Sequence, residues 1–336
     1  MIITEEEITH LFSRFGSFKV LVIGDVMVDS YLIGKVDRIS PEAPVPIVAL
    51  KQRNNLLGGA ANVALNIMSL GAEAILCSVI GDDTQADVLL DLMKKEGLNT
   101  SGIIKSGERI TTTKFRIISN HMQMLRVDEE IDSDLNEADT IRILKSILNI
   151  ISLQKPDVII LQDYNKGVLS PVVIRQVAEL ASKAGIPVAV DPKKKNFTFY
   201  KGITLFKPNL KEISEGLKTE VDPSSIESLQ NAAEVLHNDQ DIPIVMITLS
   251  ENGVFISSKK TIGNDSVIVP AVLRSIADVS GAGDTVISVA ALCLAAKTDP
   301  VLMATLSNLA GGLVCEEAGV VPIDRFRLMV EAYTEE

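Results

Sequence analysis

The feature that most constrains the fold is a regular alternation of short apolar runs with longer segments of helical periodicity. Five runs rich in valine and isoleucine are typical of buried strands: KVLVIGD (19–25), AILCSVIGDD (74–83), DVIILQDY (157–164), IPVAVDP (186–192) and IPIVMITLS (242–250). Helical periodicity occurs at 60–70, 84–96, 135–153, 171–184, 210–217 and 226–238. Strands buried on both faces that alternate with helices indicate a parallel sheet with helices on each side. The sequence therefore predicts an α/β fold with a doubly wound, mostly parallel sheet.

Two stretches break this alternation. Residues 30–50 carry three prolines within six positions, and residues 108–130 are rich in β-branched side chains. Proline confines extended segments to sheet edges or irregular strands. We therefore expect these two insertions to form a small β lid over the carboxyl edge of the main sheet, within a single domain that spans 1–336.

Composition excludes several classes of partner. The net charge of −12 argues against nucleic acid or an anionic membrane as the main partner. Three widely separated cysteines in apolar stretches are typical of reduced, buried thiols in a cytosolic protein. The start, MIITEEEITHLF, has glutamates where a signal peptide has positive charge, and no apolar run approaches the ~18 residues of a membrane span. We expect a soluble, cytoplasmic protein.

The stretch DVSGAGDTVI (278–287) combines glycines with an acidic residue at the start of an apolar helix. Unpaired N–H groups at such a start, together with the helix dipole, favour an anion such as a phosphoryl group in transfer. Asp284, kept ionised by the dipole, would accept a proton there; the alternative is that Asp284 only caps the helix. The chain has neither a Walker A pattern nor G-x-G-x-x-G, so the standard nucleotide loops are absent.

A second glycine motif, GGAANVALNIMSLG (58–71), begins another apolar helix. Gly58 and Gly59 would let a ligand approach the backbone, and Asn62 offers both a donor and an acceptor for vicinal hydroxyls. The alternative is tight packing of helix on strand. Ligands of open α/β sheets gather at the carboxyl ends of the strands, where the polar residues are Asp25, Asp29, Asp163, Asp191 and Thr248.

Two weaker motifs lie in the middle of the chain. In KPNLKEI (207–213), Asn209 and Glu212 share one face of a helix and would suit magnesium through water, although a plain helix start has the same pattern. In TLSENG (248–253), Thr248 ends a strand before a glycine turn, as in an ordinary hairpin.

In this order and spacing, the four motifs resemble those of the ribokinase-like (PfkB-type) carbohydrate kinases over essentially the whole chain. GDVMVDSYLIGKVDRISPEAPVPIV, DYNKGVLS and DPKKKNF with YKGITLFKPNLKE are similar, more narrowly, to kinases of D-glycero-D-manno-heptose 7-phosphate. Ser250 stands where ribokinases usually have glycine, and these heptose kinases share that departure. Many of them are fused to a nucleotidyltransferase; because this chain ends at 336, we expect the stand-alone form that feeds ADP-heptose synthesis for lipopolysaccharide.

The resemblance implies ATP-dependent phosphorylation of the anomeric hydroxyl to give the 1,7-bisphosphate, with Mg²⁺ and, in some members, K⁺. It implies that Asp284 is the base and that the amides of Gly281, Ala282 and Gly283 form the anion hole. Sugar hydroxyls would be held by Asp29, Gly58, Gly59 and Asn62. Magnesium and the phosphates would be governed by Asn209 and Glu212, the nucleotide by Thr248, Gly253 and Asn308, and a monovalent cation by Asp278. Family members often dimerise through lid strands, so TTTKFRIIS (111–119) and PVPIVAL (44–50) are the predicted homodimer interface; the alternative is a monomer whose lid only covers substrate.

The substrate's own phosphate would need a cationic pocket. The candidates are Arg38, Lys114, Arg116, Arg126 and Lys193, although solvated surface charge is the commoner role of such side chains. The alternatives in function are a PfkB-type kinase of another phosphorylated sugar, such as fructose 1-phosphate or tagatose 6-phosphate, and a non-catalytic sugar or nucleotide sensor. A dehydrogenase is disfavoured because GDVMVD, not a dinucleotide fingerprint, follows the first strand.

Overall fold

The computed structural model describes residues 4–120, 122–259 and 263–334. The helices in these ranges are α1 (Glu5–Phe15), α2 (Ala60–Ser69), α3 (Thr84–Lys95), α4 (Glu137–Gln154), α5 (Pro171–Ala184), α6 (Leu210–Leu217), α7 (Ile226–Asp239), α8 (Ala282–Ala295), α9 (Pro300–Cys315) and α10 (Arg325–Thr334). The strands are β1 (Lys19–Gly24), β2 (Val26–Ile39), β3 (Pro46–Gly59), β4 (Glu73–Gly81), β5 (Ile103–Ser106), β6 (Thr113–Ser119), β7 (Met122–Glu129), β8 (Val158–Gln162), β9 (Val188–Asp191), β10 (Leu205–Phe206), β11 (Ile244–Thr248), β12 (Val254–Lys259) and β13 (Asn264–Val269).

Nine of these strands form one large sheet in the order β13-β12-β11-β10-β9-β8-β1-β4-β5. Its strands from β11 to β5 are parallel, and β12 and β13 continue the β11 edge in antiparallel pairing. The predicted doubly wound, mostly parallel sheet is therefore confirmed. The five predicted strands are β1, β4, β8, β9 and β11, whereas β10 has only two residues and is too short to show a period.

Helices cover both faces of the large sheet, and alternate residues of β1 show why. Val20 and Val22 pack into an apolar cluster with residues of α1, α2, α3, α8, α9 and α10. Leu21 and Ile23 point the other way, into a cluster with residues of α4 to α7. Because both faces of a central strand are buried, its sequence is continuously apolar instead of alternating.

The remaining four strands form a small sheet in the order β3-β2-β6-β7. Most of the two insertions expected at 30–50 and 108–130 lies in its strands, whereas residues 40–45, 108–112, 120 and 130 lie outside them and residue 121 is outside the described residues. The strands are longer than the first insertion suggested, because β2 already begins at Val26 and pairs there with Gly59 at the end of β3. The small sheet thus continues directly from the carboxyl end of β1 and leads into α2.

Two expectations from composition concern the described residues only. Cys77, Cys293 and Cys315 are buried free thiols. No helix in the described part of the chain has the length and apolar character needed to cross a bilayer.

Candidate active site

The start of α8 is the centre of the candidate site. Gly281 precedes the helix in a left-handed conformation, with φ of 83°, which favours glycine. Within the described ranges, the N–H groups of Gly283 and Asp284 have no hydrogen-bond acceptor, as expected for the first turn of a helix. Two backbone donors therefore point away from the helix beside the Asp284 carboxylate.

Three side-chain donors from two parts of the fold, α2 and the end of β8, hold the Asp284 carboxylate. Asn62 Nδ2 on α2 donates to Oδ2 at 2.8 Å. Gln162 Nε2 at the end of β8 and the Tyr164 hydroxyl just after it donate to Oδ1, at 3.0 and 2.6 Å. Asp284 is buried in the first turn of α8, and these three partners of its carboxylate lie outside that helix, so its side chain does more than cap the helix.

The pKa of Asp284 is shifted in the direction opposite to the one expected from the sequence. Burial raises the pKa of Asp284 to about 6, although the hydrogen bonds from Tyr164 and Asn62 oppose that rise. The helix dipole was expected to favour the charged form, but the cost of removing the carboxylate from water outweighs it. A carboxyl group with this pKa is ionised at neutral pH and is a stronger base than an exposed aspartate.

A buried lysine supplies the positive charge that the glycine loop lacks. Lys207 Nζ lies 3.2 Å from Asp191 Oδ2, and the same oxygen accepts a hydrogen bond from Gln162 Nε2 at 3.2 Å. A Cβ atom placed on Gly283 would lie 3.7 Å from Asp191 Oδ2 and 3.8 Å from Lys207 Nζ. The ammonium group of Lys207 therefore borders the cradle at the start of α8.

Asn209 and Glu212 form a reciprocal cap at the start of α6. Glu212 N donates to Asn209 Oδ1 at 2.8 Å, and Asn209 N donates to Glu212 Oε2 at 2.9 Å. The other oxygen of Glu212 pairs with Lys193, whose Nζ also lies 3.8 Å from Asp191 Oδ1 and 5.5 Å from the centre of the Tyr164 ring. Burial lowers the pKa of Lys193, but the charges of Asp191 and Glu212 outweigh it and the net direction is upward. The two residues therefore form an ordinary helix start, and Glu212 is connected to the candidate base through Lys193 and Tyr164.

The donor set suits magnesium only in a limited way. The described residues contain no cluster of three or more histidine, cysteine or acidic side chains that could hold a metal ion. However, Mg²⁺ that travels with a nucleotide needs only one or two carboxylates besides phosphate and water. Asp191 Oδ1 is buried without a hydrogen-bond partner in the described part of the structure, near Lys193 and Glu212. Asp191 and Glu212 therefore fit a water-bridged ion.

The residues expected at the nucleotide lie further along the same sheet edge. Thr248 at the end of β11 pairs with Asn209, and a tight hairpin then leads into β12. A Cβ at Gly253 in that hairpin would lie 2.0 Å from the Val269 carbonyl oxygen, so the position excludes other residues on steric grounds. Asn308 on α9 donates to the Pro270 carbonyl at 2.8 Å.

The residues expected at the sugar lie where the small sheet meets α2. Asp29 on β2 pairs with Arg116 on β6. A Cβ at Gly58 would lie 2.2 Å from Asp29 Oδ2, so the backbone passes directly over that carboxylate. Gly59 precedes α2 and brings Asn62 to Asp284. The side-chain amide of Asn62 was expected to bind a sugar hydroxyl, but in the structure it donates a hydrogen bond to Asp284.

The five basic candidates fall into three places. Lys114 Nζ lies 2.9 Å from Asp128 and 3.2 Å from Glu130, and Arg126 Nε lies 3.0 Å from Asp128. These two and Arg116 are therefore together on the small sheet, each paired with an acid. The other candidates lie elsewhere: Lys193 beside α6, and Arg38 exposed near the end of β2.

Asp278 lies shortly before Gly281. Its Oδ1 accepts from the Ser280 N–H at 2.9 Å and its Oδ2 from the Gly319 N–H at 3.2 Å. These contacts tie the segment after α9 to the loop before α8.

Sequence reasoning missed three residues of the site, namely Gln162, Tyr164 and Lys207. Gln162 ends a buried apolar run, Tyr164 lies within DYNKGVLS, and Lys207 begins KPNLKEI. Polar side chains at the carboxyl ends of parallel strands were a usable signal for the first. Nothing in the local pattern indicated that all three meet around Asp284 and Asp191.

Comparison with known proteins identifies the family. Residues 17–324 match the model of the pfkB family carbohydrate kinases. The chain belongs to this family. The kinase is similar to the bifunctional protein HldE of Caulobacter sp. (strain K31), 42% identical over 316 residues that cover 94% of this chain and 63% of that protein. It is also similar to HldE of Desulfatibacillum aliphaticivorans, 38% identical over 329 residues that cover 97% of this chain and 66% of that protein. The kinase thus spans about 63–66% of the length of these relatives.

Solved structures show the same fold. Phosphofructokinase-2 from Escherichia coli in complex with potassium superposes with a TM-score of 0.76 at 19% identity, covering 94% of this chain and 98% of that one. Arabidopsis thaliana ribokinase complexed with ribose and ATP superposes with a TM-score of 0.71 at 15% identity, covering 95% of this chain and 99% of that one. The predicted ribokinase-like fold and membership of the PfkB carbohydrate kinases are confirmed.

Proposed function

We propose that this kinase transfers the γ-phosphoryl group of ATP to the anomeric hydroxyl of D-glycero-D-manno-heptose 7-phosphate, giving the 1,7-bisphosphate. The similarity to HldE proteins at 36–42% identity and the heptose-kinase motifs support the choice of sugar. One observation carries the chemistry: the buried Asp284 carboxylate, fixed by three donors, lies beside two unpaired N–H groups at a helix start.

In this proposal Asp284 is the general base. Its Oδ1 already accepts two hydrogen bonds and its Oδ2 only one, so Oδ2 is the oxygen open to the sugar hydroxyl. As the hydroxyl oxygen bonds to the γ-phosphorus, its proton passes to Oδ2, and the bond from that phosphorus to the β–γ bridging oxygen breaks with its electron pair leaving on ADP. The N–H groups of Gly283 and Asp284 and the Lys207 ammonium stabilise charge on the phosphoryl oxygens.

The remaining assignments follow the layout of the site. Asp191 and Glu212 would hold Mg²⁺ through water, and the ion would neutralise phosphate charge during transfer. Asn209 orients Glu212 through the cap. The nucleotide lies along the edge formed by Thr248, Gly253 and Asn308, and the sugar hydroxyls at Asp29, Gly58 and Gly59. Asp278 is the proposed monovalent-cation residue, a proposal supported by the potassium complex of phosphofructokinase-2.

The small sheet is the proposed lid of a single kinase unit, and its cations Lys114, Arg116 and Arg126 are candidates for binding the phosphate of the sugar. A kinase of this kind should discriminate strongly against a sugar without the distal phosphate. The test compares ATP-dependent turnover of the manno-heptose 7-phosphate with the unphosphorylated heptose, sedoheptulose 7-phosphate, fructose 1-phosphate and tagatose 6-phosphate. Preference for any of the last three would replace the proposed substrate.

Substitution of the base tests the chemistry. We expect Asp284→Asn to fold and bind ATP but to lose roughly 10²–10⁴-fold in kcat, the usual loss for a general base. Circular dichroism and calorimetric titration with ATP provide the control for folding and nucleotide binding. A variant that keeps near-normal kcat would show that Asp284 does not take the proton.

A further inference from the structure

Strand register divides the small sheet into a polar and an apolar face. Asp29 and Tyr31 on β2 lie opposite Lys114 and Arg116 on β6, which in turn lie opposite Asp128 and Arg126 on β7. Since side chains alternate along a strand, these six share one face. Gly58 at the end of β3 lies against Asp29 of this face, and α2, which follows directly, brings Asn62 to Asp284, so the polar face borders the candidate site.

A lysine from outside the small sheet completes the cationic cluster. Lys166, in the loop after β8, places Nζ 2.8 Å from Glu130 Oε1, at the end of β7. Lys114 Nζ approaches the other oxygen of the same carboxylate at 3.2 Å. Both lysine side chains are only 16% exposed. Two largely buried lysine side chains, one from the small sheet and one from the loop after β8, therefore converge on a single glutamate.

The loop that carries Lys166 is fixed relative to the base. Asp25 accepts hydrogen bonds from the N–H groups of Tyr164, Lys166 and Val168 at 2.9, 3.0 and 3.0 Å, and Arg109 donates to the Lys166 carbonyl. Tyr164 in turn holds Asp284. The Cα atoms of residues two apart are separated by at most about 7 Å. Lys166 thus lies at a set position relative to the base, and its side chain extends from there to Glu130 at the end of β7.

The charges are balanced better by a phosphate than by the glutamate. Burial alone would raise the pKa of Glu130, but the hydrogen bonds from Lys166 and Lys114 outweigh it and the pKa is lowered. Asp128 also pairs with Lys114 and with Arg126, so two carboxylates face three cations and one positive charge is left over. A phosphomonoester brings about 1.5–2 negative charges and three acceptor oxygens, and charge-assisted hydrogen bonds to such groups are the strong ones.

We propose that Lys114 and Lys166 form the subsite for the distal phosphomonoester of the sugar, and that Glu130 is an internal anion that this phosphate displaces. The inference rests on the proposed function and narrows it, because Lys166 links recognition of the phosphate to the loop that positions the base. The acceptor is then a sugar whose phosphate lies at the end remote from the hydroxyl that reacts.

The test is Lys166→Met, which removes the charge and keeps a side chain of similar length. We expect KM for the manno-heptose 7-phosphate to rise about tenfold or more, the effect of losing a hydrogen bond to a charged group. KM for the unphosphorylated heptose should stay within about twofold of the wild-type value. Lys94→Met is the matched control, because Lys94 is 68% exposed and pairs with Asp91 on its own helix, α3. It should change neither value.

A second variant separates recognition from loop structure. In Glu130→Gln the competing anion is gone, so KM for the phosphorylated sugar should fall or stay unchanged; a rise in KM for both sugars would make Glu130 a purely structural residue and overturn its role.

Equal increases of KM on both sugars in Lys166→Met would overturn the subsite. If the wild-type enzyme used neither heptose, the proposed function would fail by itself. The subsite would then be read from calorimetric titration with inorganic phosphate, where equal binding by wild type and Lys166→Met overturns it and weaker binding by the variant supports it.

Discussion

At the scale of residues, Tyr164 and Tyr200 form a matched pair for testing the base. Tyr164 is half-buried and Tyr200 is buried, and the hydroxyl of each donates to a carboxylate: Tyr164 to Asp284 at 2.6 Å, Tyr200 to Asp163 at 2.7 Å. The base must be ionised, so kcat/KM should fall as pH falls through the pKa of Asp284, about 6. The Tyr164 hydrogen bond favours the charged form, so its removal should raise that pKa further.

We therefore expect Tyr164→Phe to move the acidic limb of the kcat/KM profile to higher pH, measured from pH 5 to 8. Tyr200→Phe should leave the limb in place even if it lowers stability, since its partner is a different carboxylate. A limb that does not move in Tyr164→Phe, or that moves equally in both variants, would show that Tyr164 does not tune the base.

Residues of the site differ in how far the sequence reveals them. Asp284 and Asn62 stand at glycine-marked helix starts, so local pattern was enough to single them out. Gln162 and Tyr164 reach Asp284 because β8 lies between β1 and β9 and faces α8. The order of strands in the sheet cannot be predicted from the periodicity of any single segment. The dual role of Glu212, which caps α6 and pairs with Lys193, also needs the packing of distant segments.

At the scale of elements, two glycines at the start of α8 should respond differently to alanine. Gly281 has φ of 83°, and a Cβ there would lie 3.0 Å from Asn62 Nδ2. A Cβ on Gly283 would meet atoms only at ordinary contact distances of 3.7 Å and beyond. Left-handed conformations cost other residues roughly 1–3 kcal/mol.

We expect Gly281→Ala to lower the free energy of unfolding by about that amount, and to lower kcat because the added methyl group pushes Asn62 away from the base. Gly283→Ala should unfold at nearly the wild-type denaturant concentration. Urea denaturation followed by circular dichroism measures both. Equal stability of the two variants would mean that the loop before α8 relaxes without strain.

Prediction of the elements succeeded where periodicity extends over several residues. The central strands and the helices α2 to α7 follow from apolar runs and helical spacing. β10 could not be predicted, because a strand of two residues is too short to show an apolar run or an alternating pattern. The extents of β2 and β3 were underestimated for opposite reasons. The start of β2, Val26 to Val28, is as apolar as a core strand, whereas the end of β3, KQRNNLLGG (51–59), is too polar and glycine-rich to indicate a strand; only their pairing shows to which sheet they belong.

At the scale of the whole molecule, the apolar face of the small sheet is the feature without a partner in the described chain. Leu125 and Val127 on β7 lie opposite Ile117 and Phe115 on β6, on the face away from the polar cluster. The side chains of Leu125 and Val127 are 56% and 44% exposed. Apolar side chains grouped on an open sheet favour association with another chain. This supports the proposed homodimer through the small sheet.

Light scattering coupled to size-exclusion chromatography tests the dimer. We expect the wild-type protein to elute with twice the 36.2 kDa mass of the chain, and Leu125→Glu to elute as a monomer, because a charge at the centre of an apolar interface loses its hydration without gaining a partner. Leu153→Glu is the matched control: Leu153 on α4 is 81% exposed but lies on a helix that packs on the large sheet. Its substitution should leave the dimer intact. A monomeric wild-type protein, or a dimer that persists in Leu125→Glu, would mean that the apolar face does not join two copies of the chain.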